Sequence, residues 1–249
     1  MSALIGKASR LARLMSGPDS RAACLAFDHG LHIGPIPGAE DPGAVMDAAV
    51  AAQLDGVIVS PGLAIRQAGH FCGAGKPSLI LRLDQTAMWR VGTPGGYEMG
   101  ETRPVATVEE AIQLGADAVI TYLFFSHQEP GLESASVRFA AEIARACRHY
   151  GMPYIIEPMA ARGGLIDDPF DADVIAHNCR MAVEVGADVI KTDWSGSTAS
   201  FRKVVDAVDA PILVAGGAHE GDDKGVHTLI ADLMKAGSKG ILFGRNLFQ

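Results

Sequence analysis

Eight short apolar segments recur along the chain, and patterns typical of helices separate them. Most of these segments are continuous runs of isoleucine, valine and leucine, not the alternating pattern of a strand with one exposed face. Parallel strands that are buried on both faces have this composition. The predicted strands are Ala23–Phe27, Gly56–Val59, Ser78–Leu83, Ala118–Tyr122, Pro153–Ile156, Asp188–Ile190, Pro211–Ala215 and Gly240–Phe243.

Three of the predicted helices end in a similar phrase, in which a glycine precedes the next strand. The phrases are Leu114-Gly115-Ala116-Asp117, Val185-Gly186-Ala187-Asp188 and Ala236-Gly237-Ser238-Lys239. A glycine at this position can adopt the left-handed conformation that ends a helix and turns the chain into a strand. Strand–helix units joined in this way form right-handed crossovers between parallel strands. The predicted helices are Ala44–Gln53, Val108–Leu114, Ser136–His149, Asp173–Val185, Thr198–Val208 and Val226–Lys235.

These patterns together predict an α/β fold, a (β/α)8 TIM barrel that occupies residues 1–249 as a single domain. The length of 249 residues agrees with such a barrel, which has about 250. The alternative is an open doubly wound sheet. The chain stops at Gln249, soon after the eighth strand, so we expect a full eighth helix to be missing. The glycine- and proline-rich stretch Gln85–Pro104 is predicted to be a long loop after the third strand.

Composition and charge exclude several classes of function. The formal net charge of -8 disfavours nucleic-acid binding. The sequence shows neither a signal peptide nor an apolar run long enough to cross a membrane, so we expect a cytoplasmic protein without a membrane partner. The four cysteines form no Cys-x-x-Cys pair, and we expect them to be reduced thiols.

A lysine directly follows the sixth predicted strand. In a barrel of this type the chemistry lies at the carboxyl ends of the strands, so Lys191 is predicted to lie in the site. Burial lowers the pKa of a lysine and frees its amine. A neutral amine can attack a carbonyl group and form an iminium, which withdraws electrons. The alternative is a structural ion pair of Lys191 with Asp28 or Asp193.

Glycines end the last two predicted strands, where many barrels bind phosphate. Gly216 and Gly217 follow the seventh strand, and Gly244 and Arg245 follow the eighth. Glycines let backbone N–H groups approach an anion closely, and an arginine adds a two-pronged donor. We therefore predict an anion site here, although the same glycines could serve only as tight turns.

Other polar residues end the remaining strands. Asp28 and His29 follow the first strand, where the carboxylate could stabilise a protonated imine. Tyr122 ends the fourth strand and Glu157 follows the fifth. The histidines of the chain show no short metal-ligand spacing, so neither a metal nor another cofactor is predicted.

Several motifs occur together in a fixed order along nearly the whole chain. They are Phe27-Asp28-His29-Gly30, Gly34-Pro35-Ile36-Pro37-Gly38, Ile190-Lys191-Thr192-Asp193, Phe201, Val214-Ala215-Gly216-Gly217 and Gly244-Arg245-Asn246-Leu247-Phe248-Gln249. This order resembles the DhnA-type, or archaeal-type, class I fructose-bisphosphate aldolases of the DeoC/LacD superfamily. Aminodideoxyheptulosonate synthases and the autoinducer-2 thiolase belong to the same group. The resemblance implies that Lys191 forms a Schiff base beside Asp28, and that Gly216, Gly217, Gly244 and Arg245 hold a phosphate.

One segment departs from the family pattern. The archaeal-type aldolases carry a Trp-x-Tyr-Pro-Arg-Gly-like segment after the fifth strand, and its tyrosine transfers a proton. Alignment on Arg162 and Gly163 places Ala160 where that tyrosine belongs. Glu157 is the predicted replacement, as in the similar tagatose-bisphosphate branch, with a pKa raised toward neutrality. Tyr122 and His29 are further candidates, and a salt bridge of Glu157 to Arg162 or Lys191 is the structural alternative.

The function predicted from these residues is that of a metal-independent class I aldolase. It would cleave or form a C–C bond in a phosphorylated or similarly anionic keto-sugar, and Arg162 and Asp193 would also contact the substrate. Trp89, Trp194 and the Gln85–Pro104 loop would shape the other end of the site. We expect a homo-oligomer. The alternatives are a coenzyme A-dependent thiolase that uses the same lysine with His29, and a non-catalytic barrel that binds sugar phosphates.

Overall fold

The eight predicted strands close into a barrel of parallel strands in the computed structural model of the chain. The structure describes residues 1–90, 93, 101–217 and 223–249. Its strands are β1 (Ala22–Ala26), β2 (Gly56–Val59), β3 (Ser78–Arg82), β4 (Asp84–Thr86), β5 (Thr102–Pro104), β6 (Ala118–Phe125), β7 (Tyr154–Ala160), β8 (Val189–Thr192), β9 (Ile212–Ala215) and β10 (Gly240–Phe243). All except β4 and β5 form the barrel, in which β1 pairs with both β2 and β10. The predicted barrel is confirmed, and the open doubly wound sheet is wrong.

Helices alternate with the barrel strands along the chain, and one helix precedes the first strand and one follows the last. They are α1 (Ser2–Leu14), α2 (His29–Ile33), α3 (Pro42–Ala51), α4 (Pro61–Arg66), α5 (Val108–Gln113), α6 (Pro130–Tyr150), α7 (Ala172–Val185), α8 (Thr198–Asp206), α9 (Asp223–Ala236) and α10 (Arg245–Phe248). The side chain of Asp171 accepts hydrogen bonds from two backbone N–H groups at the start of α7, which satisfies donors that a helix leaves open. After the last barrel strand, where no full helix was expected, α10 has four residues.

The three helices that precede the repeated glycine motif end at its glycine, as the sequence predicts. Gly115, Gly186 and Gly237 have φ angles of +77°, +124° and +98°, which a residue with a side chain rarely adopts. Each glycine stands between a helix and a barrel strand, so the chain reverses within a few residues. The alternation of helix and strand that the sequence shows is therefore built on backbone conformations that glycine permits.

Two central strands are longer than the apolar pattern predicts. β6 continues to Phe125 and β7 to Ala160, so Tyr122 and Glu157 lie inside strands and oppose each other in the register. β8 likewise includes Lys191. In β7 and β8 the apolar run stops at Glu157 and Lys191, which are buried and pair with each other inside the barrel.

The stretch after β3 has more structure than a simple loop. Its two ends pair as the antiparallel strands β4 and β5, with Asp84 opposite Pro104. The remainder of the predicted Gln85–Pro104 loop lies partly outside the described residues, at positions 91–92 and 94–100. The described part leaves β3 and returns to α5 through this ribbon.

The amino-terminal helix covers the end of the barrel opposite the predicted site. Leu14 of α1 is fully buried and packs in one cluster with inward-facing barrel residues such as Cys24 and Ile58.

Cys24, Cys147 and Cys179 are buried, Cys72 is exposed, and all four thiols are free. Within the described ranges, none of the helices combines the length and apolar character that crossing a lipid bilayer requires.

Closure of the barrel between β1 and β10 depends on the absence of a side chain at Gly240. Its φ is +143°, and an added Cβ would overlap the carbonyl oxygen of Ala22. We expect Gly240→Ala to lower the free energy of unfolding by about 3 kcal/mol, because backbone strain and overpacking add. Gly115→Ala is the matched control, since Gly115 has a positive φ but open space around it, and it should cost about 1 kcal/mol. Urea unfolding measures the free energy of unfolding of both variants. Equal losses in the two would show that the close approach of Gly240 to the Ala22 carbonyl contributes nothing to the effect.

Candidate active site

A cavity of about 520 Å³ opens at the carboxyl ends of the barrel strands. The residues predicted for catalysis and for substrate or anion binding all line it: Asp28, His29, Tyr122, Glu157, Arg162, Lys191, Asp193, Gly216, Gly217, Gly244 and Arg245. They come from the first, fourth, fifth, sixth, seventh and eighth strands of the barrel and from the loops that follow them. The topology thus brings together residues that are far apart in sequence, as a parallel barrel does.

Lys191 lies on the wall of this cavity and is almost entirely buried, with 6% of its surface exposed. Its Nζ atom is 2.7 Å from Oε1 of Glu157, which projects from the neighbouring strand β7. The predicted burial of the amine is confirmed. The alternative prediction, an ion pair of Lys191 with Asp28 or Asp193, is wrong. The pair lies inside the cavity, so the carboxylate can accept the proton that the amine must lose to become a nucleophile.

Glu157 is shared between two cations. Its second oxygen, Oε2, accepts a hydrogen bond of 2.8 Å from Nη2 of Arg82. Burial raises the pKa of Glu157, but the charges and hydrogen bonds of Lys191 and Arg82 outweigh it, so the pKa lies below its ordinary value. The prediction of a raised pKa is therefore wrong, because the sequence did not reveal the second cation. The salt bridge to Lys191 is confirmed, and the one to Arg162 is wrong.

The second cation, Arg82, is a site residue that the sequence reading missed. It is fully buried on β3 and binds three carboxylates. Nε donates to Asp28 at 2.7 Å, Nη2 donates to Glu157, and Nη1 donates to Asp84 over a longer 3.4 Å. Its guanidinium also lies 4.1 Å from the centre of the Tyr122 ring. The signal was present, because one arginine interrupts the apolar run Ser78–Leu83, and a buried charge requires partners.

The two aspartates bound to Arg82 differ in their acidity. Burial raises the pKa of Asp28, but opposing effects, of which the Arg82 charge is the largest, hold it well below its usual range. Burial raises the pKa of Asp84 to about 7, against the weaker opposing effects of Arg82 and of the Tyr122 N–H group, which donates at 2.8 Å. Asp84 is thus the carboxyl group of this cluster that holds a proton near neutrality. Asp28 contacts Arg82 directly, while Lys191 acts on it as a nearby charge.

Tyr122 and His29 occupy two other walls of the cavity. Burial raises the pKa of Tyr122 well above its ordinary value, so its phenol stays protonated near neutrality and is not available as a base. Burial lowers the pKa of His29 and favours its neutral form. The His29 ring packs edge-on against Phe248, with ring centres 5.5 Å apart. An added Cβ at Gly244 would overlap this ring, so that glycine makes room for the histidine.

The glycines after β9 and β10 form the side of the cavity where an anion is predicted. Gly217 has a φ of +67°, and an added Cβ at Gly216 would lie 2.9 Å from the ring of Phe243. Arg245 donates from Nη2 to the Gly217 carbonyl at 3.1 Å, which ties the two loops together. Asn246 donates to the Gly216 carbonyl at 2.7 Å. The glycines are therefore required by the backbone and also leave it accessible from the cavity.

The remaining predicted residues have different surroundings. Burial, with a further contribution from Glu157, raises the pKa of Asp193 to about 6. Arg162 is exposed at the cavity rim, and its guanidinium lies 4.6 Å from the centre of the Trp89 ring. Trp89 lines the cavity as expected. Trp194 does not line it, because its ring packs against Phe201 at 5.1 Å.

No group of three or more His, Cys, Asp or Glu side chains suited to a metal ion occurs among the residues that the structure describes. The carboxylates that could have served as ligands are instead bound by cations. Asp28, Asp84 and Glu157 surround Arg82, and Glu157 also binds Lys191.

Residues 22–249 match the sequence profile of a family described as DeoC/LacD family aldolase. This chain belongs to that family. The aldolase is 37% identical over 245 residues to a 2-amino-3,7-dideoxy-D-threo-hept-6-ulosonate synthase of Halobacterium salinarum, a match that covers 98% of this chain and 86% of that protein. It is 33% identical over 246 residues to an uncharacterised aldolase of Saccharolobus solfataricus, covering 99% of this chain and 89% of the relative.

A solved structure extends the comparison to chemistry. The aldolase superimposes with a TM-score of 0.81 on an archaeal fructose-1,6-bisphosphate aldolase whose catalytic lysine is covalently bound to the carbinolamine intermediate of the substrate. The two share 25% identity, and the match covers 98% of this chain and 92% of the other. The resemblance predicted from the motifs is confirmed, and the aldolase is a lyase of the class I, Schiff-base type.

Proposed function

We propose that this aldolase forms or breaks the carbon–carbon bond next to the ketone of a phosphorylated, or similarly anionic, keto-sugar, through a Schiff base on Lys191. The observation that carries the proposal is the position of the Lys191 amine. It is buried in the cavity wall, and a carboxylate oxygen lies 2.7 Å away. An ammonium group cannot attack a carbonyl, and Glu157 is placed to take the proton that blocks the attack.

The reaction follows from this pair in the direction of cleavage. The Lys191 ammonium gives a proton to Glu157, and the neutral nitrogen attacks the ketone carbon to form a carbinolamine. Loss of water gives the iminium. A base then removes the proton of the substrate hydroxyl on the far side of the scissile bond. The electrons of that bond move to the iminium, an aldehyde leaves, and an enamine remains on the lysine. Protonation of the enamine and hydrolysis release the second product and restore the amine.

Arg82 prepares Glu157 for this exchange. It binds one oxygen of Glu157 at 2.8 Å and leaves the other oxygen facing Lys191. The side chain is therefore fixed before substrate arrives, with one oxygen in position to exchange a proton with the amine. The pKa of Glu157, lowered by the two cations, makes its carboxylate form dominant at neutral pH.

The opposite side of the cavity suits an anionic end of the substrate. Gly216, Gly217 and Gly244 expose backbone to the cavity, and Arg245 supplies a cation at its rim. Backbone N–H groups and a guanidinium are the groups with which proteins bind phosphate. The archaeal structural relative is named for fructose-1,6-bisphosphate, a keto-sugar with phosphate at each end. Association of identical subunits and a cytoplasmic location remain predictions.

Reductive trapping tests the proposal. Incubation with dihydroxyacetone phosphate or a ketose phosphate, followed by sodium borohydride, should reduce the imine to a stable amine. Intact mass should rise by one adduct, and peptide mapping should place it on Lys191. Unphosphorylated dihydroxyacetone is the matched control and should label less at equal concentration. If phosphorylated ketoses bind to the folded protein but none of them is trapped, the barrel is a binding protein and the proposal is wrong.

A further inference from the structure

Unpaired polar atoms cluster at the cavity. In the described part of the chain, four buried side-chain nitrogen or oxygen atoms have no hydrogen-bond partner, and they belong to His29, His32, Trp89 and Thr102. The first three of these residues line the cavity. Buried polar groups in folded proteins are nearly always paired, so such atoms beside a cavity indicate a ligand that pairs with them.

His32 on α2 is the one whose proton can be placed. The backbone N–H of Thr86, on β4, donates to its Nδ1 at 3.4 Å. An N–H group can donate only to the ring nitrogen that carries no proton. In the neutral ring the proton therefore lies on Nε2, and Nε2 is the atom without a partner. His32 thus presents a buried N–H donor, and only 3% of the residue is exposed.

The surroundings leave this donor available. Oδ2 of Asp28 lies 3.7 Å from Nε2, which is longer than a hydrogen bond. The same oxygen already accepts from Arg82 at 2.7 Å. On another side the ring meets Tyr122 edge-on at 5.3 Å. His32 lies next to Asp28, Asp28 is bound to Arg82, and Arg82 is bound to Glu157 beside the reactive amine, so His32 lies on the reacting side of the cavity.

We propose that His32 is a catalytic hydrogen-bond donor that gives its Nε2–H to the substrate oxygen on the carbon attacked by Lys191. This inference rests on the proposed function. The ketone oxygen gains negative charge as the amine adds, and a fixed donor in a dry site stabilises such charge. Because Nδ1 accepts the Thr86 N–H, Nε2 is the ring nitrogen that can donate to the substrate. His32 therefore acts by donating a hydrogen bond and not as a general acid or base.

Two substitutions separate this role from its alternatives. We expect His32→Phe, which keeps the ring but removes the donor, to lower kcat by about 10²- to 10³-fold with a much smaller change in KM. His32→Gln restores an N–H donor and should recover at least about tenfold of that loss. The pH dependence of kcat should keep the same limbs in His32→Gln as in the wild type. His70→Gln is the matched control, since His70 binds Asp47 and does not line the cavity, and its kcat should not change.

Other outcomes would overturn the inference. Wild-type kcat in His32→Phe would show that the donor is idle, and loss of a pH limb in His32→Gln would show acid–base catalysis. Equal damage in both variants would indicate a structural role. A two-dimensional ¹⁵N spectrum of the wild type adds a test without substitution, and a proton on Nδ1 of His32 would contradict the proposal. Absence of a borohydride adduct in the wild type would instead contradict the proposed function. Failure of the proposed function and failure of the His32 proposal are therefore distinguishable.

Discussion

Lys191→Met should lower kcat by at least about 10⁴-fold and abolish the borohydride-stable adduct, because the variant keeps a side chain of similar length but has no amine. The fold should survive. Glu157 loses one cation but keeps its 2.8 Å hydrogen bond from Arg82, so the carboxylate that Lys191 pairs is not left without a partner. Steady-state kinetics and intact mass after reduction measure the two effects, and circular dichroism checks that the variant is folded.

Lys203→Met is the matched control for this substitution. Lys203 lies on α8, its side chain is mostly exposed, and it faces Asp173 at 3.5 Å. Its loss should leave kcat and adduct formation within about twofold of the wild type, because exposed ion pairs contribute little. An adduct that persists in Lys191→Met would place the reactive amine on another lysine. Activity within a hundredfold of the wild type would show that no imine is needed.

The sequence predicted the barrel because burial on both faces leaves a local signature. Each parallel strand is a short run of apolar residues, and several of the helices before them end at a glycine with positive φ, such as Gly115 or Gly186. Lys191 was predictable for a similar reason, since a lysine next to the apolar run Asp188–Ile190 conflicts with its surroundings unless it has a role. These signals need no knowledge of which strands are neighbours.

The partners of Lys191 could not be predicted in this way. Its ion pair with Glu157 depends on β8 lying next to β7, and the contact from Arg82 depends on where β3 enters the barrel. The carboxylate was identified as important, but its acidity was predicted with the wrong sign because a raised pKa requires burial without a second cation. His32 escaped notice because its role depends on a ring orientation that the backbone of Thr86 determines.

The buried cluster around Arg82 also has a consequence for stability. We expect Arg82→Met to lower the free energy of unfolding by about 3–5 kcal/mol near pH 8, since it leaves buried carboxylates without the cation that pairs them in the wild type. Asp28 is the main loss, because Arg82 donates to it at 2.7 Å and holds its pKa low. Glu157 retains Lys191, so the damage there is smaller. Urea unfolding of the wild type and the variant between pH 5 and pH 8 measures the difference.

The pH dependence of that difference identifies its origin. In the wild type the pKa of Asp28 and that of Glu157 are lowered by folding, so their contribution to stability is present above their unfolded pKa values and is lost only as pH falls through the folded ones. Without Arg82, burial raises the folded pKa of Asp28 and raises that of Asp84 further. A carboxyl group whose pKa is higher in the folded state than in the unfolded state destabilises the folded state increasingly as pH rises. The gap between wild type and variant should therefore widen from pH 5 to pH 8.

Arg180→Met separates this effect from the loss of any arginine. Arg180 forms an exposed ion pair with Glu184 one helical turn away, and its removal should change stability by less than about 0.5 kcal/mol at every pH. If the difference in free energy of unfolding between the wild type and Arg82→Met stayed constant with pH, lost packing and not unpaired buried charge would cause the instability. The same arginine that orients Glu157 toward the amine would then be replaceable by an apolar side chain without electrostatic cost, and the low pKa of Asp28 would need another cause.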